Sequence, residues 1–115
     1  MNSRRFKKMQ GIQIHEINEA MYQDLGRLVG WKETTLQPGQ AVEAHRHGFN
    51  AMYFTNGVSE LYCEGERVAL PEKAAVFIAQ GREHAWNGVR EGCDKGVVGH
   101  FHSGHGIHKI VDQYN

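Results

Sequence analysis

The feature that most constrains this chain is its rhythm: short apolar or alternating runs, each closed by a turn signal, with no sustained helical stripe of apolar residues. Ile12, Ile14 and Ile17 open the series, and residues 28–36 form a clearer run that ends at Pro38-Gly39. Residues 42–47 and 49–55 follow, closed by Asn56-Gly57, the dipeptide that most strongly marks a two-residue hairpin between alternating strands. Residues 58–63 and 66–70 flank Glu64-Gly65, a second hairpin signal. Pro71-Glu72-Lys73 then leads into 75–79, Gln80-Gly81 into 82–87, and the loop 91–96 into a last strand at 97–102. Segments 21–25 and 109–114 read as short helical ends. A chain built this way is expected to be all-β, a sandwich or barrel of about 8–11 strands with little helix.

A length of 115 residues is one ordinary domain. Residues 12–115 are read as that domain, and 1–11 as an N-terminal arm carrying Arg4, Arg5, Lys7 and Lys8 around Phe6. Such an arm is either solvated or laid across a dimer interface. Thirteen Lys and Arg balance thirteen Asp and Glu. This gives no basic excess for gripping nucleic acid and little repulsion between copies, so a homodimer without a nucleic-acid partner is expected. The N-terminus lacks an apolar signal core. The longest apolar run, 74–79, falls far short of the ~20 residues a membrane helix needs, which points to a cytoplasmic protein with no membrane partner. Cys63 and Cys93 form neither a disulfide framework nor a zinc-ribbon pattern.

Eight histidines are the compositional outlier. His45 and His47 lie two apart on an expected strand, so both rings leave one face and Arg46 leaves the other. Their Cα atoms should be roughly 6.6 Å apart, near enough for both imidazoles to lean onto one ion at ~2.0–2.1 Å from each nitrogen.

The residues around this pair resemble a known family. Gly39-Gln40-Ala41-Val42-Glu43-Ala44-His45-Arg46-His47 has the form G-x5-H-x-H, similar to the first motif of the cupin superfamily, and Gly57 falls within a residue of that motif's closing glycine. The second cupin motif aligns at Lys73, Ala79, Gly81 and His84, with Asn87 one residue early; Gly81 and His84 are kept, while Lys73 and Ala79 replace a Gly and a Pro. The resemblance, which spans about 39–87, implies a small single-domain cupin, a jelly-roll barrel of the RmlC-like type. It also implies a divalent metal on His45, His47 and His84. The fourth cupin ligand, a Glu, is missing, because its position falls on Ala51 or Met52.

Three neutral imidazoles leave the ion its full charge, so the centre should favour a small anionic or oxygenated ligand. Imidazole does not choose among Fe, Zn, Ni, Mn and Cu. Three protein ligands leave open coordination positions, as catalytic sites do. Occupancy is expected to fall below about pH 6.5, where histidine protonates.

His100 and His102 form a second H-x-H on the last strand. If that face is inward, one of them replaces the missing Glu or acts as a nearby base; if outward, the pair belongs to the Gly/His-rich tail. Three-His thiol dioxygenases, also cupins, carry a Ser-His-Tyr set on a comparable strand, and here those positions hold Val98, His100 and His102, which matches at the central His only. Tyr53 shares the face of Ala51 and is expected to line the cavity. Trp86 shares the face of His84 as a pocket wall or as plain core. The resemblance implies a metal-dependent, dioxygenase-like enzyme or isomerase. The region 45–84 is also similar to the sensing barrel of AraC-type regulators. With Asn115 closing the chain before any helix-turn-helix, that likeness implies a ligand-binding module.

Overall fold

The computed structural model describes residues 6–9, 11–28, 32–48 and 50–101. In chain order these residues form β1 (Phe6–Met9), β2 (Ile12–Glu16), α1 (Glu19–Leu28), β3 (Lys32–Leu36), β4 (Ala41–His45) and β5 (Ala51–Asn56). They continue with β6 (Val58–Cys63), β7 (Glu66–Ala69), β8 (Lys73–Ile78), β9 (His84–Val89) and β10 (Gly96–Phe101). The strands make two antiparallel sheets: β1-β2-β8-β5-β10-β3, and β4-β9-β6-β7. Chain neighbours repeatedly land in different sheets, so the polypeptide crosses between layers as a jelly roll requires. The segment read as an N-terminal arm carries β1, which is hydrogen-bonded along β2 with Phe6 opposite His15.

The core lies between the two sheets. Ile12, Ile14, Tyr53, Val76, Ile78 and Val98 from the first face Val58, Leu61, Cys63, Val68 and Trp86 from the second, all of them buried. β5 is buried at five consecutive positions, Ala51 to Thr55, which explains why its sequence is continuously apolar rather than alternating.

Two expectations are corrected. The segment 21–25 is part of a full helix, α1, and the strand expected over 28–36 begins only at Lys32. Asn18 caps this helix, its Oδ1 accepting the Met21 N–H at 2.8 Å, and Glu19 places an acid at the positive end. The sequence hides the helix because its apolar face is short: Met21 is buried while Glu19 and Gln23 are exposed. The second correction concerns Asn56-Gly57. It joins β5 of one sheet to β6 of the other, so it is a corner between layers and not a hairpin between paired strands. The Glu64-Gly65 hairpin does form: Cys63 faces Glu66, and both turn residues have positive φ, 49° and 85°. The segment 109–114 lies outside the described residues.

The corner needs its glycine for two separate reasons. Gly57 sits at φ +79°, and a Cβ there would lie 2.5 Å from the Lys95 carbonyl oxygen. Its N–H donates to the Glu72 oxygen at 2.7 Å and its own oxygen accepts the Arg90 N–H at 2.8 Å, so the backbone cannot shift away cheaply. Gly57→Ala should therefore destabilise the barrel by about 2 kcal/mol or more. A drop in the urea midpoint with an unchanged m-value checks this; a variant as stable as wild type would refute the constraint.

Candidate metal centre

The nucleus of the site is the ladder between β4 and β9. Ala41 faces Asn87, Val42 faces Trp86, and His45 faces His84, so Glu43 and Ala44 on β4 lie opposite the single Ala85 on β9. This is a β-bulge. In an unbroken strand Val42 and His45 would point to opposite faces; the extra residue turns both into one cavity. His47 lies two residues beyond the end of β4, and backbone ties hold it there. The Gly81 N–H donates to the His47 carbonyl at 2.9 Å, and the Gln80 N–H donates to Asn50 Oδ1 at 2.9 Å. Arg46 faces away, as expected, against Glu83 at 3.5 Å.

These elements bring His45, His47 and His84 together. Ring centroids are 4.9 Å apart for His45 and His47, 4.4 Å for His45 and His84, and 5.4 Å for His47 and His84. One ligand nitrogen from each lies within 4.8 Å of the others. Two nitrogens sharing an ion at ~2.1 Å sit roughly 3.0–3.4 Å apart, so the widest pair needs to close by roughly 1.5 Å, which a turn of the imidazole rings supplies. The donor set fits a divalent transition ion.

Two of the rings are held by their other nitrogen. His84 Nδ1 lies 2.9 Å from the Arg82 oxygen and His45 Nδ1 lies 2.9 Å from the Glu43 oxygen. A carbonyl only accepts, so each Nδ1 carries the proton and each Nε2 offers its lone pair. Histidine ligands in metal sites are fixed in this way. Tyr53 Oη lies 3.1 Å from His84 Nε2 and 2.7 Å from His47 Nε2. With His84 Nε2 unprotonated, the phenol donates to His84 and accepts from His47.

Burial sets the charge of the cluster. His84, only 1% exposed, is held down to about 4, chiefly by loss of water; the Arg82 carbonyl opposes the shift and His45, His47 and His100 add to it. His47 is lowered for the same reason, with a smaller push from His45. Burial drives the Tyr53 hydroxyl well above its ordinary range. Proton competition at His84 and His47 therefore begins at lower pH than the ordinary histidine value led one to expect.

The remaining residues fall as follows. β10 pairs with β5 so that His100 faces Tyr53. The His100 ring stacks on Tyr53 at 4.7 Å and on His47 at 5.4 Å, both with interplanar angles of 20°. That face of β10 is inward, with His100 in the cavity beside the histidine cluster and not within it. His102 lies outside the described residues. Trp86 is buried, its ring 4.9 Å from Tyr53, and with Val42 and Val98 it forms the apolar wall of a cavity of about 240 Å³. Ala51 and Met52, the two positions on which the cupin resemblance puts its Glu, are both buried and offer no oxygen ligand. Sequence reading missed Thr34 of β3 in the cavity wall and the hydroxyl bridge of Tyr53. Both depend on strand register, which leaves no mark in the sequence.

No family model and no curated protein sequence matches the chain. Among solved structures it is similar to NovW, a 4-keto-6-deoxy sugar epimerase from the novobiocin biosynthetic gene cluster of Streptomyces spheroides. The match has a TM-score of 0.50 and 12% identity, and covers 87% of this chain and 68% of that one. At that identity the likeness is one of fold, a jelly roll of two antiparallel sheets, as the cupin resemblance in the sequence implied. None of the described helices is long and apolar enough to cross a membrane.

The depressed His84 has a consequence for stability. Unfolded, the residue titrates near 6.5; folded, near 4. Between those values the unfolded chain binds a proton that the folded chain refuses, so stability present above pH 6.5 is lost as pH falls towards 4. The full loss is ~3 kcal/mol. Urea midpoints of metal-free protein between pH 7.5 and 4 should fall along this course and flatten in His84→Gln. An equally steep variant would remove His84 as the cause.

Proposed function

We propose that this protein is a metal-dependent cupin enzyme in which His45, His47 and His84 hold one divalent ion and the cavity takes a small anionic or carbonyl-bearing substrate. The observation that carries the reading is the orientation of the imidazoles. Three rings from two distant stretches of chain bring ligand nitrogens within 4.8 Å, and two of them are fixed by Nδ1–H bonds to backbone carbonyls. Three neutral rings gathered with their ligand nitrogens this close are what one shared ion requires.

The ion would supply Lewis-acid polarisation of a substrate oxygen or, as iron, dioxygenase-like chemistry with O2. The chain's own groups do the rest. Val42, Trp86 and Val98 exclude water from one side of the substrate and favour a compact apolar flank. A cavity of about 240 Å³ is at the small end for ligand sites, so a small metabolite fits better than a nucleotide-linked one. His100, stacked on Tyr53 and His47, stands where it can take or return a proton at the substrate carbon or oxygen. The solved structure with the same fold acts on a 4-keto sugar, and a carbonyl substrate that enolises makes the same demands: a base near the α-carbon and a positive group at the oxygen.

Elemental analysis of protein purified without a His-tag should find about one transition metal per chain. His45→Ala, His47→Ala and His84→Ala should each lose most of it with the barrel's circular dichroism retained. His100→Gln should keep the metal and lose turnover of small diketones, thiols or phenolics, followed as O2 uptake or isomerisation. Stoichiometric metal in a His45→Ala/His84→Ala double variant would reject the centre. A loaded protein that binds these compounds and converts none of them would favour a sensory binding module instead.

A further inference from the structure

We infer that Tyr53 is a ligand of the same ion through its phenol oxygen, taking the place of the carboxylate that the chain lacks. The inference rests on the three-histidine reading and deepens it. Ligand atoms bound to one ion at ~2.1 Å sit roughly 3.0 Å apart when at right angles and roughly 3.4 Å apart in a tetrahedron. Tyr53 Oη lies 2.7 Å from His47 Nε2 and 3.1 Å from His84 Nε2, which is already the spacing of neighbouring ligands. It bridges the Nε2 atoms of two of the three histidines. Glu43 and Glu83, the nearest acids in sequence, are directed elsewhere: Glu43 offers only its backbone oxygen to His45, and the Glu83 carboxylate pairs with Arg46.

Position reinforces distance. Tyr53 is two residues beyond Ala51 on the same face of β5, so it approaches the site from the strand that carries the usual cupin acid but one pleat deeper. The longer side chain recovers that distance. Its ring is fixed on both sides, by Trp86 at 4.9 Å and by His100 at 4.7 Å, so the oxygen has little freedom to swing away. Charge points the same way. The three histidines contribute none, and the Tyr53 oxygen at two of their Nε2 atoms is a group that can become anionic. Coordination exchanges the O–H bond for an oxygen–metal bond, the proton passing to solvent, and leaves the centre with a net charge of one instead of two.

The test is Cu(II) added to untagged, metal-free protein. Wild type should develop a visible phenolate-to-copper charge-transfer band with tyrosine ring modes in its resonance Raman spectrum. Tyr53→Phe should lose the band and bind copper at least about tenfold more weakly in a chelator competition. His84→Ala should lose both band and high-affinity copper. Copper bound by wild type with an imidazole-only spectrum would overturn the assignment without any variant, and so would Tyr53→Phe binding as tightly as wild type, or more tightly. Those two results leave the three-histidine centre intact. Wild type that takes up no copper, zinc or iron would instead remove the centre, and the Tyr53 assignment with it.

Discussion

The site depends on one feature of backbone pairing, the antiparallel ladder of β4 on β9 with a single extra residue between Val42 and His45. The ladder sets His45 beside His84 across the strands, although the two are far apart in the chain. The bulge keeps both His45 and Val42 facing the interior. Without it the strand's two-residue alternation would send one of them to solvent, and either the metal cluster or the apolar wall would be lost. The hydrogen bond from Gly81 to the His47 carbonyl extends the same pairing past the end of β4, so the third imidazole is placed by backbone as well.

This dependence explains what could be read in the sequence and what could not. The alternation of apolar runs and turn dipeptides reflects local sterics and burial, so the number of strands, the Glu64-Gly65 hairpin and the H-x-H pair were all legible. Asn56-Gly57 was legible as a turn but not as a corner, because a glycine at positive φ serves either purpose and only the partners of β5 and β6 decide between them. The inward face of His100 could not be settled, since Val98, His100 and Phe101 are compatible with either orientation. Its pairing with Tyr53 on β5 decides it. The role of Tyr53 lay beyond reach for the same reason: the residue was assigned to a cavity wall from its parity, and the distances from its hydroxyl to two rings are properties of sheet packing.

The interior of the site is built from groups that are neutral at neutral pH. His84 and His47 are held below the ordinary histidine range, and the Tyr53 hydroxyl is pushed up. Burying a formal charge there would be far more expensive than burying imidazole and phenol. A cupin with a Glu in this position carries its counter-charge ready-made and must stabilise it when the ion is absent. On the cupin resemblance that position falls on Ala51 or Met52, so an ion bound as proposed would draw its counter-charge from a group that ionises on binding, or from the substrate.

That substitution bears on whether the ion is structural or functional. A structural site folds only with its metal. Here the hydroxyl of Tyr53 satisfies the Nε2 atoms of both His47 and His84, and the Nδ1 atoms of His45 and His84 are satisfied by backbone. The barrel's apolar core, from Ile12 to Val98, lies between the sheets, and His84 is buried against its Tyr53 and Trp86. These bonds engage the ring nitrogens from within the chain. An ion held there as proposed would compete with these internal bonds, a design that suits ligand chemistry better than a purely structural role.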